Sequence, residues 1–237
     1  MGDLTRRLRA ELSKKGDVAE GEPLSFAGRL DPAASGECIY ISGAEDIEKW
    51  RPVVNAAKKT YNVQFLIGVK TDTGDLFGKV IDIDAQAGRS VDPEKVRQTL
   101  LAQKIQHIPQ YSSPNIKKLL KGEEIEVKEQ EIQIFDVKVG KLKKISIEGV
   151  RAEVNDLLEK IKGDFRYDVI RESWNDGAHK FPDDLSLMEC EITCSGGTYI
   201  RGLCDIVSKN TCVFSLDRTG ITNDSSMDFG QFLSFDK

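Results

Sequence analysis

The sequence predicts a single mixed α+β domain spanning residues 1–237. Three observations carry that reading. Segments with apolar residues every three to four positions alternate with segments of period two, so helices and strands are both present. No internal repeat, low-complexity tract or linker-like stretch divides the chain. A length of 237 residues with 39% apolar side chains is enough for one sizeable core.

The elements follow in order. Leu4, Leu8 and Leu12 recur every fourth residue and lay one apolar stripe along a basic first helix, which places that helix on the domain surface. Cys38-Ile39-Tyr40-Ile41 reads as a short strand, and Asp46 to Ala57 as a helix in which Pro52 is either an interior residue or the mark of the true first turn. Tyr61 to Val69 alternates in period two, and Thr71-Asp72-Thr73-Gly74-Asp75 turns it into Gly78 to Ile83, a hairpin with a polar tip. Asp72 and Asp75 lack the later ligands and the bidentate glutamate of a calcium loop, so the tip is a capped turn. Asp92-Pro93-Glu94 opens a helix that runs to about Gln103, with a carboxylate cap and proline in its first turn. A further short helix ends at Gly122, and Ile125 to Val139 reads as strand. Val154, Leu157, Leu158 and Ile161 give helical spacing from Ala152 to Lys162, with Gly163 as the stop. Leu187 to Thr193 reads as strand, and a helix runs from about Tyr199 through Ser208.

Composition excludes several classes of function. No apolar run approaches the ~20 residues that span a bilayer, and the N-terminus lacks a signal peptide's apolar segment, so the expectation is a cytoplasmic protein without a membrane partner. Five scattered cysteines fit reduced, buried thiols. Their spacing contains no Cys-x-x-Cys, and His107 and His179 are the only histidines, so no metal is assigned. A net charge of −5 argues against binding nucleic acid by bulk electrostatics, while leaving room for local patches. Three basic clusters stand out: Arg6, Arg7 and Arg9; Lys117, Lys118 and Lys121; and Lys141, Lys143 and Lys144. Each is either a solvated face or part of such a patch.

Two segments carry candidate chemistry. Gly28-Arg29-Leu30-Asp31-Pro32-Ala33-Ala34-Ser35-Gly36 sets one aspartate in a loop punctuated by glycine and proline, with small side chains that leave room for a flat ligand. By itself this is either an ordinary turn or the presentation of a nucleophile. Cys194-Ser195-Gly196-Gly197-Thr198 places free backbone N–H groups and a helix start beside Tyr199 and Arg201, which is either close packing or an anion seat. A guanidinium two positions into that helix, Arg201, is a candidate to pair with Asp31 and hold its carboxylate ionised.

These segments resemble the TruB-type pseudouridine synthases. The Asp31 loop is similar to their Gly-x-Leu-Asp-Pro-x-Ala-x-Gly motif, and Lys59-Thr60-Tyr61 with Thr71-Asp72-Thr73-Gly74-Asp75 to their Lys-x-Tyr strand and Thr-Asp-Thr-x-Asp turn. Gln106 to Ser112 resembles their Gln-x-Pro-Pro-x-Tyr-Ser segment, and Cys194 to Arg201 their Cys-Ser-x-Gly-Thr-Tyr-Ile-Arg. The likeness runs from about Leu4 to Arg218.

The resemblance implies a mixed, largely antiparallel sheet flanked by helices and loops, and isomerisation of an RNA uridine without metal or organic cofactor. It makes Asp31 the nucleophile, attacking the base or the sugar or working through a glycal. Tyr61 stacks on the extruded uracil and is the candidate for moving a proton, and Arg201 pairs with Asp31. Lys59, Tyr199 and Leu216 complete the substrate pocket. The implied partner is RNA, with the T-arm of tRNA foremost, bound by a monomer.

Departures from the family pattern are Phe26 in place of a histidine, Arg29 beside the nucleophile, Ile108 for a proline and Asn115 for a lysine. The family's leading Lys-Pro-x-Gly-x-Thr-Ser segment is not seen before the first helix, and no PUA-like domain is expected after Leu216. Phe26 and the missing leading segment motivate a second reading, a catalytically weak RNA-binding or RNA-folding module on the same architecture. A protein-interaction domain with no RNA role is a third.

Overall fold

The computed structural model describes residues 2–112, 115–116, 118, 121–161, 163, 166–175, 180–222 and 233–236. Helix α1 (Gly2–Lys15) leads into β1 (Leu24–Ala27), β2 (Ala34–Ser42), α2 (Ala44–Ala56), β3 (Lys58–Ile67), β4 (Val69–Thr71) and β5 (Val80–Ile83). Then come α3 (Pro93–Ala102), β6 (Ile105–His107), β7 (Glu129–Glu131), β8 (Ile134–Ser146), α4 (Ile147–Lys160), α5 (Tyr167–Asn175) and β9 (Asp184–Cys194). A 3₁₀ turn (Ile200–Leu203), α6 (Cys204–Val207), β10 (Thr211–Thr222) and β11 (Leu233–Asp236) close the series.

Seven strands form one sheet in the order β1-β2-β10-β3-β9-β8, with β11 also paired to β2. The β10–β2 pair is parallel and the other pairs are antiparallel, which is the mixed, largely antiparallel sheet expected. Alternation along β3 sorts its side chains: Tyr61, Val63, Phe65 and Ile67 enter the larger core, while Asn62 is exposed on the other face. Further along, Leu66 enters a second core with Leu76, Phe77 and the fully buried Trp174 of α5. Trp174 Nε1 donates to the Gly78 carbonyl at 3.1 Å, and Val80 N donates to Ser173 Oγ at 3.1 Å. The hairpin of β4 and β5 is thereby braced from behind by α5, which itself packs on α4.

Several expectations hold. The apolar stripe of α1 buries Leu8 and Leu12, and Asp92 caps α3 by accepting from Glu94 N and Lys95 N. The five cysteines are buried free thiols. No helix among the described residues is long and apolar enough to cross a membrane.

Others are corrected. Pro52 lies inside α2 and not at its start. It is exposed, as is Glu48, so the carbonyl deprived of a donor faces water. The hairpin partner of β5 is β4, because Gly68 at φ 111° breaks the long strand before the turn. Ile125 to Val139 is not one strand: β7 and β8 are separate, and β8 runs on to Ser146, whose hydroxyl accepts from Gly149 N and starts α4 five residues before Ala152. The helix expected to end at Gly122 lies largely outside the described residues. Tyr199 to Ser208 is not one α-helix but the 3₁₀ turn followed by a single α turn.

Gly36 shows how tightly β2 and β10 are joined. At φ 105° it sits so close to Arg218 that a Cβ would fall 2.3 Å from that residue's carbonyl oxygen. Gly16 has a comparable φ of 80° with nothing within 4 Å. In urea unfolding, Gly36→Ala is expected to cost at least about 3 kcal/mol, and Gly16→Ala about 1 kcal/mol.

Candidate active site

Asp31 lies in the loop between β1 and β2, where its carbonyl accepts from Ala34 N at 3.1 Å to close a turn. Gly28, at φ 69°, opens that loop. The carboxylate meets Arg201 as a two-bond fork: Nε to Oδ2 at 2.7 Å and Nη2 to Oδ1 at 3.0 Å. The Arg201 side chain is 5% exposed and that of Asp31 33%, so the cation is sealed in and the carboxylate remains reachable. Arg201 also donates to the carbonyls of Thr73 and Tyr111.

A second carboxylate, Asp75, sits 3.5 Å from Arg201 Nε. Its Oδ1 accepts from Thr73 Oγ1 at 2.6 Å and Phe77 N at 3.1 Å. Burial pushes Asp75 up, against the pull of Arg201. For Arg201, burial is outweighed by Asp75 and Asp31, and its pKa rises. The polar tip is thus the capped turn expected, and no cluster of metal-ligating residues occurs among the described residues.

Tyr61 and Leu216 enter the same cleft from β3 and β10. This cleft of about 370 Å³ is lined by Asp31, Lys59, Tyr61, Tyr199, Leu216 and Arg218, among others. Burial pushes the Tyr61 phenol up to about 12, so it is protonated at neutral pH. Arg218, absent from the sequence-derived set, is Tyr61's cross-strand partner and is 1% exposed. Its Nε donates to the Glu37 carbonyl and its Nη2 to the Gly28 carbonyl, both at 2.8 Å. Lys59 lines the cleft, yet its ammonium donates to the carbonyls of Val54, Asn55 and Ala57 at 2.6–2.7 Å. All three protons are spent on the C-terminal end of α2.

The Gly196–Gly197–Thr198 junction keeps fewer free N–H groups than the sequence suggests, since Thr198 N donates to the Ser195 carbonyl at 3.3 Å. The Tyr199 N–H is taken by Gln106 Oε1 at 2.8 Å, and Gln106 Nε2 donates back to the Tyr199 carbonyl at 2.7 Å. One buried amide thus holds Tyr199, two positions before Arg201. The half-buried Tyr199 phenol is pushed up by burial. Phe26 packs edge-on to Tyr40 with ring centroids 6.4 Å apart.

Of the basic clusters, Lys143 and Lys144 pair with Glu189 and Asp184, and Lys121 with Glu123. Lys117 and His179 lie outside the described residues. The sequence-derived set Asp31, Tyr61, Arg201, Lys59, Tyr199 and Leu216 therefore converges on one cleft. Asp75, Gln106 and Arg218 were missed as members. The signal for the first two was present, since both stand inside motifs already singled out.

Residues 18–156 match the family model described as TruB family pseudouridylate synthase (N terminal domain). Among curated proteins, the chain is similar to tRNA pseudouridine synthase B of Trichormus variabilis, 28% identical over 188 residues covering 76% of this chain and 50% of that protein. It is also similar to tRNA pseudouridine synthase B of Treponema denticola, 23% identical over 225 residues covering 90% of this chain and 56% of that protein. The chain spans about half the length of these relatives. Among solved structures, one chain in the crystal structure of a Cbf5-Nop10-Gar1 complex aligns with a TM-score of 0.45 and 14% identity, covering 90% of this chain and 44% of that one.

The buried phenol gives a spectroscopic handle. An absorbance titration of wild type minus Tyr61→Phe is expected to be flat near pH ~10, where a free tyrosine ionises, with a phenolate step near pH 12. The folded chain keeps this proton longer than the unfolded one. Stability should therefore fall as the pH climbs from about 10 toward about 12, and Tyr61→Phe should remove that part of the loss.

Proposed function

Because the chain belongs to the TruB family of pseudouridylate synthases, we propose that it isomerises a uridine in RNA to pseudouridine, with Asp31 as the nucleophile. The observation that carries this reading is the forked Arg201–Asp31 pair at the mouth of a cleft walled by Tyr61. In the reaction the bond from the ribose to N1 breaks and a bond from the ribose to C5 forms. The C5 hydrogen is lost and N1 gains a proton, so no atom is added overall, and neither redox change nor metal is required. Asp31 attacks the base or the sugar, or works through a glycal.

The other residues have roles that fit their positions. Arg201, fixed by the Thr73 and Tyr111 carbonyls, aims both carboxylate oxygens of Asp31. A phenol protonated at neutral pH suits stacking on the uracil and donating a proton better than abstracting one. Leu216 forms an apolar wall and Tyr199 a polar one. Lys59 sets the cleft's edge through the end of α2 and does not itself reach substrate.

A base inside a stacked loop cannot reach Asp31, so the target is flipped out. Stacking on Tyr61, worth about 1–3 kcal/mol, offsets an unstacking cost of a few kcal/mol. The substrate is tRNA, as in the names of the relatives, with the T-arm uridine at the fifty-fifth nucleotide as the target. We place the enzyme in the cytoplasm as a monomer.

The second reading, a weakly catalytic RNA-binding module, rests on Phe26, which cannot make the hydrogen bonds of the histidine it replaces. One experiment separates the two. Asp31→Asn is expected to lower pseudouridine formation in a tRNA transcript at least about 10³-fold by mass spectrometry, with RNA affinity kept within a few-fold. Equal turnover in wild type and variant would remove Asp31 from the mechanism. RNA binding by wild type without turnover would favour the module.

A further inference from the structure

One corner of the cleft carries more positive charge than the isomerisation uses. Among the described residues lining it, Arg29, Lys59 and Arg218 are the cations and Asp31 is the one carboxylate, already claimed by Arg201. Arg218 is buried, and its Nε and Nη2 meet only carbonyl oxygens and the Cys38 sulfur. Its Nη1 lies 3.4 Å from where a Cβ on Gly28 would sit, and the guanidinium also shares a side-chain hydrogen bond with the Tyr61 phenol, which leaves a second Nη1 proton for a ligand. Lys59 feels that charge: burial first, and Arg218 second, push its ammonium down to about 8.

Gly28 joins this cation to a second donor. Its carbonyl accepts from Arg218 Nη2 at 2.8 Å, and its N–H donates to Asn55 Oδ1 at 2.9 Å. That bond fixes the amide's orientation and leaves both Nδ2 protons without an acceptor among the described residues. Asn55 is exposed on the cleft wall, and Arg29 is exposed at the same rim. Across from them Gly196 packs so closely that a Cβ would fall 2.0 Å from the Asn55 carbonyl, whereas Gly197 has nothing within 4 Å of its own. A buried guanidinium, an oriented amide and an exposed arginine thus surround an open corner whose one lining carboxylate, Asp31, is engaged by Arg201.

We propose that this corner is an anion seat for a phosphate flanking the uridine whose base stacks on Tyr61. Arg218 Nη1 and Asn55 Nδ2 are its fixed donors, and Arg29 closes over it. The inference rests on the function proposed above and names where the substrate's backbone is held. The sheet register supplies the reach, since Arg218 is the cross-strand neighbour of Tyr61, about 4.8 Å away across paired strands. Burying a cation without a carboxylate is costly, and an arriving phosphate offsets that cost only when the nucleotide is in place.

Asn55→Asp is the informative variant, because it keeps the acceptor for Gly28 N–H and replaces the two donors with a negative charge; Arg218 variants would strip the Gly28 and Glu37 carbonyls of their donor. Binding is measured by fluorescence anisotropy in the Asp31→Asn background. The probes are a T-arm stem-loop RNA and two versions with one neutral methylphosphonate linkage, 5′ or 3′ of the target uridine. Asn55→Asp should weaken binding of the unmodified RNA about tenfold, yet change binding little for one of the two neutralised RNAs. An equal effect on all three RNAs, or no effect on any, overturns the seat while leaving the function standing. Failure of the wild-type chain to form pseudouridine in the unmodified stem-loop overturns the function and the seat together.

Discussion

The site depends on one guanidinium. Arg201 reaches Asp31 in the loop after β1, the Thr73 carbonyl at the hairpin tip and the Tyr111 carbonyl beyond β6. These groups come from three separate stretches of chain, and Arg201 is their common point. A planar group with five donors in a fixed fork can satisfy all of them at once, which an ammonium could not. Because a third of the Asp31 side chain is exposed, removing one partner costs less than the ~3–5 kcal/mol of a fully buried pair, and the contact that aims the carboxylate also holds the hairpin against the loop.

A second buried arginine does similar work at the far end of the Asp31 loop. Arg218 binds the carbonyls of Gly28 and Glu37, one on each side of the loop. Its strand touches Gly36 so closely that no side chain fits there. Gly28 and Gly36 are therefore required for different reasons: Gly28 by its φ at the loop's opening, Gly36 by the contact with β10. Pinned at both ends and gripped by Arg201 in the middle, Asp31 keeps its position while a third of its side chain stays exposed.

Much of this is legible in the sequence. The motifs around Asp31, Tyr61 and Arg201 stand far apart in sequence, and they meet because β3 runs beside β10 and β10 beside β2. What local pattern could not reveal was β10 itself, the strand that makes the meeting possible. It carries Arg218 at an inward position and two register shifts, between Val213 and Ser215 and between Arg218 and Gly220. Both defects break period two. The helix read from Tyr199 onward failed for a related reason. Gln106, distant in sequence, takes the backbone groups of Tyr199 and leaves only a short 3₁₀ and α turn behind it.

Asp75 shows how the same cation can serve two carboxylates unequally. Arg201 gives Asp31 two short bonds and Asp75 a longer contact of 3.5 Å. Asp75 makes up the difference locally with Thr73 Oγ1 and Phe77 N, so it stays satisfied without drawing the guanidinium away. Two negative charges beside one positive charge would be costly in a sealed interior. Here the buried carboxylate is the one with neighbouring donors, and the one left facing solvent is the one at the cleft. That division suits a nucleophile: the inner aspartate orients the arginine, the arginine orients the outer aspartate, and only the outer one has room to meet a substrate.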